Sequence, residues 1–159
     1  MRYVENLTSV EGGYGRTGSR SPMQWDDSAN AGFTDTSCQK LYIPLDPDPK
    51  RPNVKDQLSD SDSLLGEVQK LIRIRKEHQA FGNSGGIEFI CDGGKGKPLA
   101  YYRRSGEERI LVAVNPTDKD FVLPVNDSVS DLIYCLGEKP GSGEGKCMVK
   151  ARSAFFAAV

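Results

Sequence analysis

The clearest pattern of apolar and polar positions lies between residues 61 and 81. Leu64, Leu65, Val68, Leu71 and Ile72 recur at i, i+1, i+4, i+7 and i+8, and Phe81 closes the series. That spacing puts the apolar side chains on one face of a 3.6-residue repeat and predicts one amphipathic helix. Lys70, Arg73, Lys76 and Glu77 fall off that face, whereas Arg75 projects onto it and needs a partner or a route to water. Ser61, Asp62 or Ser63 can cap the start, and Gly82 supplies a stop.

After residue 86 the pattern changes to short apolar runs separated by turn residues. The runs are Ile87–Cys91, Leu99–Arg104, Ile110–Val114, Phe121–Val125, Leu132–Leu136, Cys147–Lys150 and Ala154–Val159. Short strands at this spacing predict a small antiparallel sandwich. No aromatic row runs along them, which counts against a free-standing glycan-binding module. Residues 1–60 show neither period. Gly12, Gly13, Gly15, Gly18, Pro22, Pro44, Pro47, Pro49 and Pro52 break helix and strand alike, so the stretch reads as irregular. A loop of that length is uncommon in a self-sufficient domain.

Composition narrows the function classes. The chain has 159 residues, 37% hydrophobic and 27% charged, which is ordinary for a globular protein and argues against disorder. With 21 basic and 22 acidic residues the formal net charge is −1, so there is no electrostatic footprint for nucleic acid or an anionic membrane. No apolar run approaches the roughly 18 residues of a membrane span, and the first residues lack the apolar core of a signal peptide. Cys38, Cys91, Cys135 and Cys147 form no C-x-x-C pair, and His78 is the only histidine. No metal site or cofactor is expected, and the cysteines read as reduced thiols of a cytoplasmic protein. Gly93–Pro98 and Gly141–Cys147 lack the P-loop pattern and read as hairpin turns.

The chemistry-bearing stretch runs from Gly15 to Phe33: Arg16, Arg20, then Ser21-Pro22-Met23-Gln24-Trp25-Asp26-Asp27, and Asn30-Ala31-Gly32-Phe33. It resembles the R-x-x-x-R-T-P-M-Q-W-D…N-A-G-F signature of α-glucosidases and oligo-1,6-glucosidases of the α-amylase superfamily, with Ser21 in place of Thr. Tyr42–Pro47, the run from Asn53 to Leu65, and Leu71–His78 resemble further family segments in the same order, and Val112–Pro116 resembles the start of the trailing β domain. Trehalose synthases share the signature.

The resemblance implies that residues 1–82 are the last loop and helix of a (β/α)₈ barrel, and that 83–159 are a C-terminal all-β domain. The implied fold is mainly β: a small antiparallel Greek-key sandwich preceded by one amphipathic helix and a long irregular segment. Since such a barrel takes roughly 250 residues, the chain reads as a C-terminal fragment.

Retaining glycosidases need two carboxylates about 5–5.5 Å apart. The family carries these on earlier strands, so no catalytic residue is expected here. Asp26 and Asp27, neighbours in sequence, are poorly suited to converge on one sugar. Arg16 is the expected contact to a terminal glucosyl unit, because a planar guanidinium can bind a hydroxyl while pairing with a carboxylate. Arg20, Pro22, Met23, Gln24, Trp25 and Asp26 read as scaffold. Trp25 is expected to pack rather than to stack on sugar, and His78 to cap the helix end. The implied partner is an α-gluco-oligosaccharide, bound only with the rest of the barrel. The apolar helix face offers a route to self-association. The runner-up readings are a trehalose-synthase-type isomerase fragment and a non-catalytic β-domain binding module.

Overall fold

The computed structural model describes residues 20–35, 37, 40–125, 129, 131–143 and 146–159. The chain divides into two compact units, residues 1–70 and 71–159.

The first unit holds helix α1 (Val54–Ser59), the start of helix α2 (Leu64–Glu77) and a short turn, Ala29–Gly32. Helix α1 lies inside the stretch that reads as irregular. Its six residues are too short to show a period, yet its start is well made. Asn53 Oδ1 accepts from Asp56 N at 2.9 Å, and Asn53 Nδ2 donates to the Asp56 carboxylate at 2.7 Å. Of the three candidate caps for α2, Ser63 fills the role. Its Oγ accepts from Gly66 N at 3.1 Å and donates to Gln57 O at 2.7 Å, while Gln57 Oε1 accepts from Leu65 N at 3.0 Å. Helix α2 ends at Glu77, before a separate turn at Gln79–Phe81. No residue of α2 is fully buried, and Leu64, Val68 and Ile72 keep 77%, 43% and 49% of their surface. Arg75 reaches Asn83 Oδ1 at 3.0 Å, its way off the apolar side.

Among the described residues, the second unit contains eight strands: β1 (Gly86–Asp92), β2 (Leu99–Ser105), β3 (Glu108–Asn115), β4 (Phe121–Leu123), β5 (Asp131–Leu136), β6 (Gly141–Gly143), β7 (Lys146–Val149) and β8 (Ser153–Ala158). They form an antiparallel five-stranded sheet, β1-β2-β3-β8-β5, and a three-stranded sheet, β4-β7-β6. The chain crosses from sheet to sheet after β3, β4, β5 and β7, a Greek-key type of connectivity. The expected antiparallel sandwich therefore forms, with one strand more than the apolar runs mark. Strand β6 is Gly-Ser-Gly, which reads in sequence as part of a turn, and it is held by backbone pairing to β7.

Alternation along the strands decides what is inside. Ala100, Tyr102, Leu111, Ala113, Phe155 and Ala157 of the large sheet meet Leu123, Cys147 and Val149 of the small one in a single core. The opposite face of the large sheet carries Ile110, Val112, Tyr101 and Phe156, covered in part by Ala80 and Phe81. There the register lines up Phe89, Tyr101, Val112, Phe156 and Tyr134, one from each strand. Phe89 meets Tyr101 at 5.8 Å and Tyr134 meets Phe156 at 5.0 Å between ring centroids. Aromatic side chains thus do line up, across the strands instead of along them. Strand β1 is an edge, with Ile87 and Phe89 exposed, and a bulge shifts its register between Phe89 and Cys91.

Candidate functional site

The signature segment is built in the first unit around a left-handed turn. Asn30, Ala31 and Gly32 have φ of 56°, 53° and 64° in succession. Glycine adopts that region freely and asparagine tolerates it, but alanine is strained there. Local bonds hold it: Ala31 N donates to Ser28 O at 2.9 Å, and Ala31 O accepts from Trp25 N at 2.9 Å and Asp26 N at 3.4 Å. Ala31 itself is fully buried. Asp26 Oδ1 accepts from both the side chain and the backbone N–H of Ser28, and these bonds hold its carboxyl below the ordinary carboxylate range.

The next bonds tie this loop to α1. Gln24 O accepts from Val54 N, and Trp25 O from Lys55 N, each at 2.9 Å. Beside the junction is a polar depression of about 360 Å³ lined by Asp27, Pro49, Lys50, Arg51, Asn53 and Asp56. Among the described residues there is no group of three or more His, Cys, Asp or Glu able to hold a metal ion.

Of the residues singled out in sequence, Arg16 lies outside the described residues. Arg20 is exposed, Pro22 is buried, Gln24 is partly buried, and Met23 is half exposed. Trp25, expected to pack, keeps 49% of its surface. Its backbone is pinned at both N–H and C=O while its ring covers no core of the described residues. His78, expected to cap α2, instead pairs its Nδ1 with the Glu108 carboxylate at 2.7 Å. Burial opposes ionisation of Glu108, but hydrogen bonds from Ala80 N and His78 outweigh it and hold the carboxyl below its usual value.

Two features escape sequence reasoning because they depend on register. Asn115, 1% exposed at the end of β3, donates Nδ2 to Lys119 O and Lys150 O at 2.9 Å each. Its Oδ1 accepts from Thr117 N at 3.1 Å and Thr117 Oγ1 at 2.7 Å. One buried amide thus joins the β3–β4 loop to the β7–β8 turn. The second feature is the grip of Arg103 and Glu108 on the turn after α2.

Comparison with known proteins places this arrangement. The family model described as "Alpha amylase, catalytic domain" matches residues 2–84. The glucan 1,6-alpha-glucosidase of Streptococcus pneumoniae serotype 4 is 34% identical over 119 residues, 75% of this chain and 21% of that protein. The oligo-1,6-glucosidase of Parageobacillus thermoglucosidasius is 38% identical over 117 residues, 72% of this chain and 20% of its own. The chain therefore spans about a fifth of the length of these curated relatives. Among solved structures, a trehalulose synthase mutant in complex with Tris superposes with a TM-score of 0.76 at 26% identity, covering 97% of this chain and 28% of that one. With a family match over more than half its residues and a fold to agree, the chain belongs to the α-amylase family.

Proposed function

We propose that this chain is the C-terminal part of an α-glucosidase-type glycoside hydrolase acting on α-linked gluco-oligosaccharides, and that the catalytic carboxylates lie outside it. Residues 1–82 contribute the last loop and helix of the barrel, and residues 83–159 form the trailing β domain. Arg16 binds the terminal glucosyl unit, and the segment Arg20–Asp26 is the scaffold that presents it. The observation that carries the reading is the signature loop itself: a strained turn pinned by Asp26 and Ala31 and hydrogen-bonded to α1, in a chain whose relatives are named as 1,6-glucosidases. Asp26 spends one carboxylate oxygen on two bonds within its own loop, which suits a structural role better than attack on a sugar. A cytoplasmic setting fits Cys91, Cys135 and Cys147, which are free thiols. No helix of the described residues is long and apolar enough to cross a membrane.

An isomerase reading is favoured by one specific observation, the likeness to trehalulose synthase and to the isomaltulose synthase of Klebsiella sp. LX3, the latter with a TM-score of 0.72 at 26% identity over 88% of this chain and 25% of that one. A hybrid tests whether the chain serves as the C-terminal part of such a hydrolase. The 159 residues replace the matching segment of the Parageobacillus oligo-1,6-glucosidase, and isomaltose and sucrose are supplied. Release of glucose from isomaltose, with none by the 159-residue chain alone, is the expected result. Rearrangement of sucrose without hydrolysis would favour the isomerase, and turnover by the chain alone would overturn the assignment of the carboxylates.

A further inference from the structure

Two charged side chains from neighbouring strands hold one short backbone turn. Glu108, at the start of β3, takes His78 Nδ1 on one oxygen at 2.7 Å and Ala80 N on the other at 2.6 Å. Arg103 of β2 donates Nε to Ala80 O at 2.8 Å and Nη2 to Gly82 O at 2.7 Å. Both polar groups of the Ala80 backbone are therefore satisfied by side chains of the sheet. The register explains why these two can act together. Arg103 lies opposite Ile110 and Ser105 opposite Glu108, so Arg103 and Glu108 project from the same face of adjacent strands.

The turn is built to fit this grip. Ala80 has no exposed surface, and Phe81 packs on Phe156 at 5.4 Å between centroids. A β-carbon on Gly85 would collide with Ala80 O and lie 2.8 Å from Arg103 Nη2, so residue 85 has to be glycine for the arginine to pass. Within the turn only single short-range bonds close the backbone: Phe81 N to His78 O, Gly82 N to Gln79 O, and Gly85 N to Gly82 O. Apolar contact alone would hold such a turn without fixing its register, whereas charge-assisted bonds to both backbone groups of one residue fix it. Losing either partner leaves a buried backbone group unsatisfied.

We propose that Arg103 and Glu108 form a latch that seats the 78–85 turn on the sheet, and that this turn leaves the sheet as a unit while the sandwich stays folded. The family match ends at residue 84, so the gripped residues His78, Ala80 and Gly82 lie inside it and the gripping residues lie outside. The latch is the joint by which the trailing sheet takes hold of the end of the catalytic-domain segment. It does so with charge, where the packing of Ala80 and Phe81 on the sheet is apolar.

Native-state amide exchange on the 159-residue chain tests this. In Glu108→Ala, exchange at Ala80, Gly82 and Gly85 should accelerate at least about tenfold, with Val112 and Phe156 amides within about twofold of wild type, as for a sub-global opening. Arg103→Met should give the same pattern. The double variant should add little to either single one, because a latch that opens as one body is lost only once. Unchanged protection at Ala80, or acceleration of the β3–β8 amides equal to that of the turn, would overturn the proposal. If Glu108→Ala does not fold, Arg103→Met carries the same readout and decides between the same outcomes.

Discussion

The carboxylate of Asp26 occupies the space that a side chain on residue 32 would need: a β-carbon built on Gly32 would lie 3.0 Å from Asp26 Oδ1 and 3.1 Å from Oδ2. Gly32 also has φ +64°, so space and backbone conformation both demand glycine. Gly32→Ala should destabilise the loop by about 1 kcal/mol or more, since alanine is incompatible with that φ. Trp25 is the only tryptophan and its N–H is bonded to this turn. Its fluorescence under denaturant gives the measurement, with a lower midpoint expected for the variant.

Acid should loosen the same loop. The Asp26 carboxyl is held low by Ser28, first through the hydroxyl and then through the backbone N–H. A depressed folded-state value contributes stability above the unfolded value of about 3.9 and loses it as pH falls through the folded value. Tryptophan emission should therefore hold steady from about pH 7 to about 5 and move below that range. In Ser28→Ala, which removes the largest cause, the change should begin at higher pH.

Glu108 behaves alike in the second unit. Its carboxyl meets His78 and Ala80 N from the turn, and Arg103 on β2 binds the same residue's carbonyl. Because its folded value is depressed, the bond to Ala80 N is present above an unfolded value of about 4.3 and is lost as pH falls through the folded value. Ala80 protection, referenced to the Val112 amide in the same sample, should fall in that acid window and be flat above it.

Asn115→Ala should be among the costlier single changes outside the apolar core. It removes the amide bonds to the Lys119 and Lys150 carbonyls, which keep Thr117 Oγ1 and Ser153 Oγ as donors, and each lost bond costs about 0.5–1.5 kcal/mol net. Thermal unfolding should show a loss in that range. Phe155→Ala, at 1% exposure, sets the scale for the core at about 3–5 kcal/mol.

The stripe of Leu64, Val68 and Ile72 predicts self-association of the 159-residue chain. Sedimentation velocity should show concentration-dependent mass, abolished when the three are changed to Glu, Lys and Glu. A monomer at every concentration would remove helix α2 as a contact surface between copies.

How much of this is legible in sequence depends on range. Helix α2 and seven strands announce themselves through side-chain period, because their apolar faces repeat within a few residues. Strand β6 does not, since Gly141-Ser142-Gly143 has no pattern and its pairing is backbone to backbone. The scaffold residues from Arg20 to Asp26 can be named from a resemblance, yet nothing in sequence shows that Asp26 leans on Gly32. Trp25 is held through its backbone N–H and C=O and is half covered among the described residues, a position that its residue type alone does not announce. Arg103 and Glu108 lie more than twenty residues from the backbone groups they bind, so nothing local marks them. The same holds for the Phe89–Tyr134 row, which exists only once five strands are in register.

The bulge in β1 has a consequence for how the molecule keeps to itself. An edge strand with Ile87 and Phe89 uncovered offers open hydrogen-bond groups and apolar surface together, the recipe for sheet-to-sheet fibril growth. The register slip between Phe89 and Cys91 breaks the run of evenly placed donors and acceptors after four residues, so an incoming strand can zip only from Gly86 to Phe89. That irregularity shortens the regular template which an outer strand of the large sheet presents, one of the ways in which sheet edges are blunted.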